Sequence, residues 1–285
     1  MLNSGTLRHE IGIIVLWAVA ILIVFILGLQ AFGSWHDEWS GYDASFSISD
    51  GVCNIAVVPI LGEIIPYSGA NDYGDESEPP ISISAGDARA AIRMAESDPD
   101  IRGVLVYIDS YGGTPAAAES IANMLKGSPM PVAAYIGEAS ASAAYLVATG
   151  ADRIFASPFS DIGSIGVTMS YVENWEQNTK EGLRYVSLAS APFKDYGDPN
   201  KPITAAERAL LERDLKIYHE QFVKEVAGNR NLPVEDVAKL ADGSSMPASL
   251  ALENKLIDAL SDQETPRAWF AEQLKMPMVE VVFCE

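Results

Sequence analysis

The sequence predicts an α/β domain preceded by one transmembrane helix, and three features lead to that reading. Residues 11–32 form an uncharged apolar run. From residue 52 onward, Val- and Ile-rich strand-like runs alternate with helix-patterned segments. Small residues stand where strands give way to helices, at the strand ends where sites gather in α/β folds.

The run at 11–32, IGIIVLWAVAILIVFILGLQAF, contains one amide, Gln30, and as a helix its 22 residues would span roughly 33 Å, against a hydrocarbon core of about 30 Å. A cleaved signal peptide is the alternative, since Ala31 and Gly33 have the small-x-small spacing of a cleavage site, but the run exceeds the usual apolar length of about 7–15 residues. Arg8 precedes the run, whereas Asp37 and Glu38 follow it. The positive-inside bias therefore places residues 1–10 in the cytoplasm and the bulk of the chain beyond the cytoplasmic membrane. Residues 33–51, with Trp35 and Trp39, read as a juxtamembrane linker.

Roughly 235 residues remain, enough for one large domain over 52–285. The formal net charge of −20, with no basic cluster, argues against a nucleic-acid partner. Two cysteines, Cys53 and Cys284, leave two readings open: a bridge, as an oxidising compartment permits, or two buried thiols.

The domain opens with an apolar strand at 54–65, followed by an acidic Gly/Pro loop at 67–80. A helix around 87–96 leads to a strand at 104–108, and Pro115 starts a helix to 126. A strand at 132–136, a short alanine-rich helix at 142–149 and a strand at 153–156 continue the βα rhythm. Residues 165–172 and 185–188 are β-rich and predict further strands. A long amphipathic helix at 204–226, short helices at 234–241 and 248–255, a helix at 265–275 and a closing strand at 279–283 complete the pattern.

For chemistry, Ser142 stands where a strand turns into a helix, so its side chain meets free N–H groups and a dipole suited to a developing oxyanion. Two roles stay open at this point, because Ser140 could instead be the N-cap, with Ser142 a mere first-turn residue. Gly112 and Gly113, in DSYGGTPAAAES, let backbone approach a ligand and present N–H groups. The chain has three histidines, His9, His36 and His219; His219 opens HEQFV, which lacks the second histidine of a zinc helix and reads as a surface residue. No metal site and no cofactor are expected. A lysine is then the remaining base, and among Lys126, Lys180, Lys194 and Lys201, Lys194 in SLASAPFKDYGDP has the most apolar neighbours.

The segments VLVYIDSYGG, ASAAYLVATGADRIFASPFSDIGSIGV and KLADGSSMPASLALENKLID, in this order, resemble the signal peptide peptidase A family, the S49 serine peptidases of the ClpP/crotonase-like superfamily. The likeness runs over about residues 54–260. It implies a ClpP/crotonase-like spiral of βαβ units and a Ser/Lys dyad, with Ser142 as nucleophile, Lys194 as general base, and backbone N–H groups near Gly112, Gly113 and Ala143 as oxyanion donors. It also implies a membrane anchor, a homo-oligomeric ring in which Ser and Lys can meet across a subunit boundary, and hydrophobic, extended peptide substrates such as released signal peptides. Two segments depart from the family: Ala143-Ala144 stands for Gly-Gly, and Asp109-Ser110-Tyr111 for Asn-Ser-Pro. These departures also suit a catalytically degenerate scaffold of a membrane complex. Acyl-CoA chemistry of the crotonase type shares the oxyanion geometry but has no use for an anchor or a Ser/Lys pair.

Overall fold

Within the described residues, the most continuously apolar stretches form parallel strands covered on both faces, as burial of both faces requires. A computed structural model describes residues 51–67 and 81–284. In chain order the elements are β1 (Ile55–Ile65), β2 (Ser82–Ser84), α1 (Ala85–Ser97), β3 (Gly103–Gly113), α2 (Pro115–Lys126), β4 (Val132–Ala141) and α3 (Ala143–Ala148). Then come β5 (Arg153–Ala156), β6 (Asp161–Gly163), α4 (Trp175–Lys180), α5 (Ala205–Arg230), α6 (Val234–Leu240) and β7 (Ser245–Pro247). The last are α7 (Ala248–Glu253), β8 (Ala259–Leu260), α8 (Thr265–Leu274) and β9 (Phe283–Cys284).

Among the described residues the sheet runs β2-β1-β3-β4-β5-β8, all parallel, with β9 also on β1. The C-terminal end of β4 pairs with β6, which in turn pairs antiparallel with β7, so the sheet is mixed. One face is covered by α1, α2 and α3, whose Ile92, Ile121, Leu125 and Val147 pack with Phe222 and Val226 of α5. The other face carries a smaller core of Leu105, Tyr135 and Phe155 against Phe270 of α8. This is the expected α/β class.

Local chemistry sets the joints. Ser84 ends β2 and caps α1, its Oγ accepting the Asp87 N–H at 3.0 Å. Pro115 occupies the first turn of α2, where no backbone N–H is needed. Every residue of α3 is buried, and the Tyr145 hydroxyl donates to the Leu256 carbonyl at 2.8 Å. Burial pushes that phenol up, so it remains a neutral donor. At the far end of α5, Arg230 grips Asp258 with two N–H···O bonds of 2.8 and 3.1 Å, while Asp258 also accepts the Ile154 N–H at 2.7 Å. That fork fixes the long helix to the sheet.

Several expected elements change. The strands predicted to stop at 108 and 136 continue to Gly113 and Ala141, because the ladder extends past the last β-branched residues. The strands expected at 165–172 and 185–188 are absent; among the described residues no sheet neighbour reaches these stretches, and a short helix, α4, lies between them. Ile165 is buried in the core and Val167 packs against it, but the later apolar side chains stay exposed, Val172 at 78% and Leu188 at 95%. β-propensity records fit to a pleated, half-buried surface, so it fails where the described residues supply no such surface. The closing strand shrinks to Phe283–Cys284 behind a 3-10 turn at Met278–Glu280. Residues 1–10, the span 11–32, most of the linker and the acidic loop at 68–80 lie outside the described residues. Among the described residues no helix is long and apolar enough to cross a membrane.

Cys53 and Cys284 form a disulfide with Cα atoms 5.1 Å apart, which decides between the two readings of the cysteines. It links the entry of β1 to β9 across 231 residues of sequence. Closing so long a loop restricts the unfolded chain by up to about 5 kcal/mol. Reduction, or Cys53→Ser with Cys284→Ser, should therefore lower the urea midpoint markedly; an unchanged midpoint would mean the bridge contributes nothing.

Candidate active site

The site follows from strand register. Ser110 of β3 stands opposite Ser140 of β4, so two residues on, Gly112 lies beside Ser142. A Cβ on Gly112, at φ +113°, would sit 3.0 Å from Ser142 Cβ and 3.1 Å from the Ala143 nitrogen. A Cβ on Gly113, at φ +150°, would fall 2.2 Å from the Ile64 carbonyl oxygen. Gly113 has no room for a side chain, and one on Gly112 would be strained by its positive φ and tight contacts, so the glycine pair suits close backbone approach. Buried Ser110 accepts the Gly112 N–H at 3.1 Å and donates to the Gly62 carbonyl at 2.6 Å, which fixes this loop. The Gly112 N–H is thus engaged by Ser110. The Ala143 N–H opens the first turn of α3, where backbone donors have no intrahelical partner.

Ser142 adopts φ 52°, ψ −125°, a conformation that L-residues rarely take and that costs about 1–3 kcal/mol. The surroundings hold it there: its N–H donates to the Gly163 carbonyl at 2.7 Å, and its carbonyl accepts from Tyr145 and Leu146 at 3.0 and 3.2 Å. Its Oγ caps nothing and has no hydrogen-bond partner among the described residues. Ser140, by contrast, is fully buried in β4, with its Oγ unpartnered among the described residues. The structure therefore places Ser142, not Ser140, at the helix start. The two departures at this site are accommodated. Ala143 and Ala144 have no positive φ and sit without strain in α3. Asp109 accepts the Ala139 N–H at 3.2 Å, bridging β3 and β4.

Two cavities meet at Ser142. One, of about 230 Å³, is mostly apolar, with Ala143, Leu146, Val167 and Phe222 in its wall and Glu119 and Glu225 also lining it. The other, of about 650 Å³, is more polar and includes Tyr111, Ser164, Lys216, His219 and Asp242. His219 is half-buried and shares this cavity with Ser142, so it is not the bland surface residue expected from its helix. The available signal was the i, i+4 spacing of Leu215 and His219, which puts both on one face of α5 and in the same cavity wall.

Lys194 lies in an exposed turn, its N–H bonded to the Ala191 carbonyl at 3.2 Å, and it lines neither cavity. One chain therefore does not bring the expected dyad into a shared pocket. The turn itself is pinned. Next to Lys194, Asp195 accepts from Ser187 and from Tyr185, the latter at 3.4 Å, and pairs with Lys201 at 3.4 Å. Lys201 also pairs with Glu207, the buried member of the capping box that starts α5. The Ser187 hydroxyl and the Lys201 ammonium hold the Asp195 carboxyl below the usual carboxylate range. Lys201, with help from the Thr204 N–H, does the same for Glu207, and the Glu207 and Asp195 bonds hold Lys201 above the usual lysine range.

Residues 124–276 match the model of Peptidase family S49. A chain of Methanocaldococcus jannaschii named as a protease is 32% identical over 183 residues, covering 62% of this chain and 59% of that one. A chain of Enterococcus faecium named as a signal peptide peptidase is 28% identical over 176 residues, 61% of this chain and 51% of that one. The chain thus spans between half and three-fifths of the length of these relatives. Among solved structures, a ClpP1 variant from Listeria monocytogenes superposes with a TM-score of 0.47 at 14% identity, covering 73% of this chain and 91% of that one.

The network around Asp195 sets a pH window. Depressed carboxylates stabilise the fold above the ordinary carboxylate range and lose that contribution as pH falls through their folded values. Raised Lys201 contributes below the ordinary lysine range and loses it as pH rises through its folded value. Amide protection across residues 185–201, corrected for intrinsic exchange, should therefore be greatest near neutrality and fall at both extremes. In Lys201→Met it should be low throughout; a flat wild-type profile would refute the tie.

Proposed function

Because the chain belongs to peptidase family S49, a family of serine peptidases, we propose that it is a membrane-anchored serine endopeptidase with Ser142 as nucleophile and Lys194 as general base. The observation that carries this is the strained Ser142, free of capping duty, at a strand-to-helix turn beside the Gly112 backbone and open to an apolar cavity. Its substrates would be extended, hydrophobic peptides such as released signal peptides.

In this scheme neutral Lys194 Nζ takes the Ser142 Oγ proton as the oxygen attacks the scissile carbonyl carbon. The N–H groups near Gly113 and Ala143 face the oxyanion. The lysine ammonium then protonates the leaving amine, and water, activated by the same amine, hydrolyses the acyl-enzyme. An exposed lysine is a poor base, since water stabilises its charged form. The scheme therefore has Lys194 reach Ser142 of a second copy and lose its water on assembly. The exposed apolar residues Met169, Val172, Val186 and Leu188 on the segment that leads to Lys194 supply a surface for such a copy. A homo-oligomeric ring of ClpP/crotonase-like subunits, with residues 11–32 spanning the cytoplasmic membrane and the domain outside the cytoplasm, completes the reading.

One observation favours a second reading. His219 and Ser142 line the same cavity within a single chain, which suits an imidazole base in cis.

Peptide turnover, fluorophosphonate labelling and subunit mixing separate these schemes. Ser142→Ala and Lys194→Ala should each lose peptide turnover by at least about a thousandfold. Mixing the two inactive variants should restore activity, because a mixed pair joins an intact Ser142 to an intact Lys194. Full activity in Lys194→Ala with none in His219→Ala would install the histidine instead. Absence of any Ser142 label in the wild-type oligomer would leave a degenerate scaffold.

A further inference from the structure

The smaller cavity at Ser142 is apolar in body, yet two acidic residues stand in its wall, exposed Glu119 of α2 and half-buried Glu225 of α5. Neither carboxylate is in an ion pair among the described residues, and Glu225 accepts one hydrogen bond, from Gln221 Nε2 at 2.6 Å. A cavity of about 230 Å³ is smaller than the ~300–1,000 Å³ of pockets that hold a whole drug-sized ligand, so it suits one side chain. Its wall includes both the nucleophile and Ala143, whose N–H faces the carbonyl oxygen in the proposed reaction. The residue that owns that carbonyl, on the acyl side of the cleaved bond, is the one whose side chain lies nearest both.

We propose that Glu119 and Glu225 make this cavity select a lysine or arginine side chain on the acyl side of the scissile bond. The aliphatic stem would lie along Leu146 and Phe222, as long cationic side chains do against apolar surface. The cationic head would meet the two carboxylates and the ring of Tyr218, which lines the same cavity. A fully apolar side chain fills the same volume but leaves the carboxylates unanswered, and an acidic one is repelled. The chain's net charge of −20 attracts cationic peptides over longer range and works in the same direction. The proposal rests on the peptidase reading and adds its specificity: hydrophobic peptides cut after a basic residue.

The test uses the full-length oligomer and four fluorogenic peptides that differ only in the acyl-side residue: norleucine, lysine, arginine and glutamate. Lysine and arginine should exceed norleucine in kcat/KM by about tenfold at low salt, the ratio should shrink as salt screens the carboxylates, and glutamate should be refused. In the pair Glu119→Gln with Glu225→Gln the lysine-to-norleucine ratio should fall about tenfold, while Glu225→Asp should recover part of it. Cleavage that favours norleucine in the wild type, or a lysine preference that survives the double substitution, overturns the proposal and leaves the peptidase reading standing. If no peptide is cut and Ser142 takes no fluorophosphonate, both fall together.

Discussion

The site depends on one pairing, Ser110 against Ser140 in the parallel ladder of β3 and β4. It brings the C-terminal ends of two strands level, so that the turn after one and the helix after the other leave the sheet side by side. From that register follow the contact of Gly112 with Ser142 and the need for Gly113 to lie bare against Ile64. The strain at Ser142 is sustainable because α3 behind it is wholly buried and pinned through Tyr145 to Leu256. A rare backbone conformation persists only where its neighbours over-determine it. Here the sheet, the buried helix and β6 each hold one side of the serine.

Much of this was legible in the sequence because the signals are local. Pro115 marks a helix start, paired glycines mark a close approach, and the continuous apolar runs of β1, β3 and β4 mark strands covered on both faces. What escaped was what depends on partners distant in the chain. β6 and β7 are three residues each and exist only because they pair with one another and with the end of β4. The apolar, β-branched stretches at 165–172 and 185–188 have the composition of strands, yet no strand among the described residues pairs with them. Position on α5 also escaped: His219 is ordinary in its own helix and becomes notable only because the helix crosses the mouth of Ser142. The choice between Ser140 and Ser142 likewise required the register, since either suits a cap by residue type.

Charge is distributed in two distinct ways. Around Asp195, Lys201 and Glu207 the charges are paired and serve to fix the turn that carries Lys194 to the start of α5. Lys194 itself stands outside that network, with no ion pair to another described residue. On the proposed reading Lys194 is a general base, and that role needs this separation: a carboxylate bonded to its amine would stabilise the ammonium and oppose proton uptake from serine. By engaging Asp195 through Ser187 and Lys201, the fold removes the nearest carboxylate in sequence from competition for Lys194.

On the proposed reading, the single chain is deliberately incomplete. An amine in water is protonated near neutrality, and only desolvation or nearby positive charge makes it a base. The turn bearing Lys194 is hydrogen-bonded but wet, and the segment leading to it exposes apolar side chains that no other described residue covers. Covering those side chains with a second copy and drying the amine are then the same event. Chemistry would switch on with assembly, and an isolated subunit, with its strained serine already in place, would have a nucleophile lacking its base. For an enzyme directed at unstructured peptide, this coupling confines cleavage to the enclosed form and spares extended segments that an unassembled chain happens to meet.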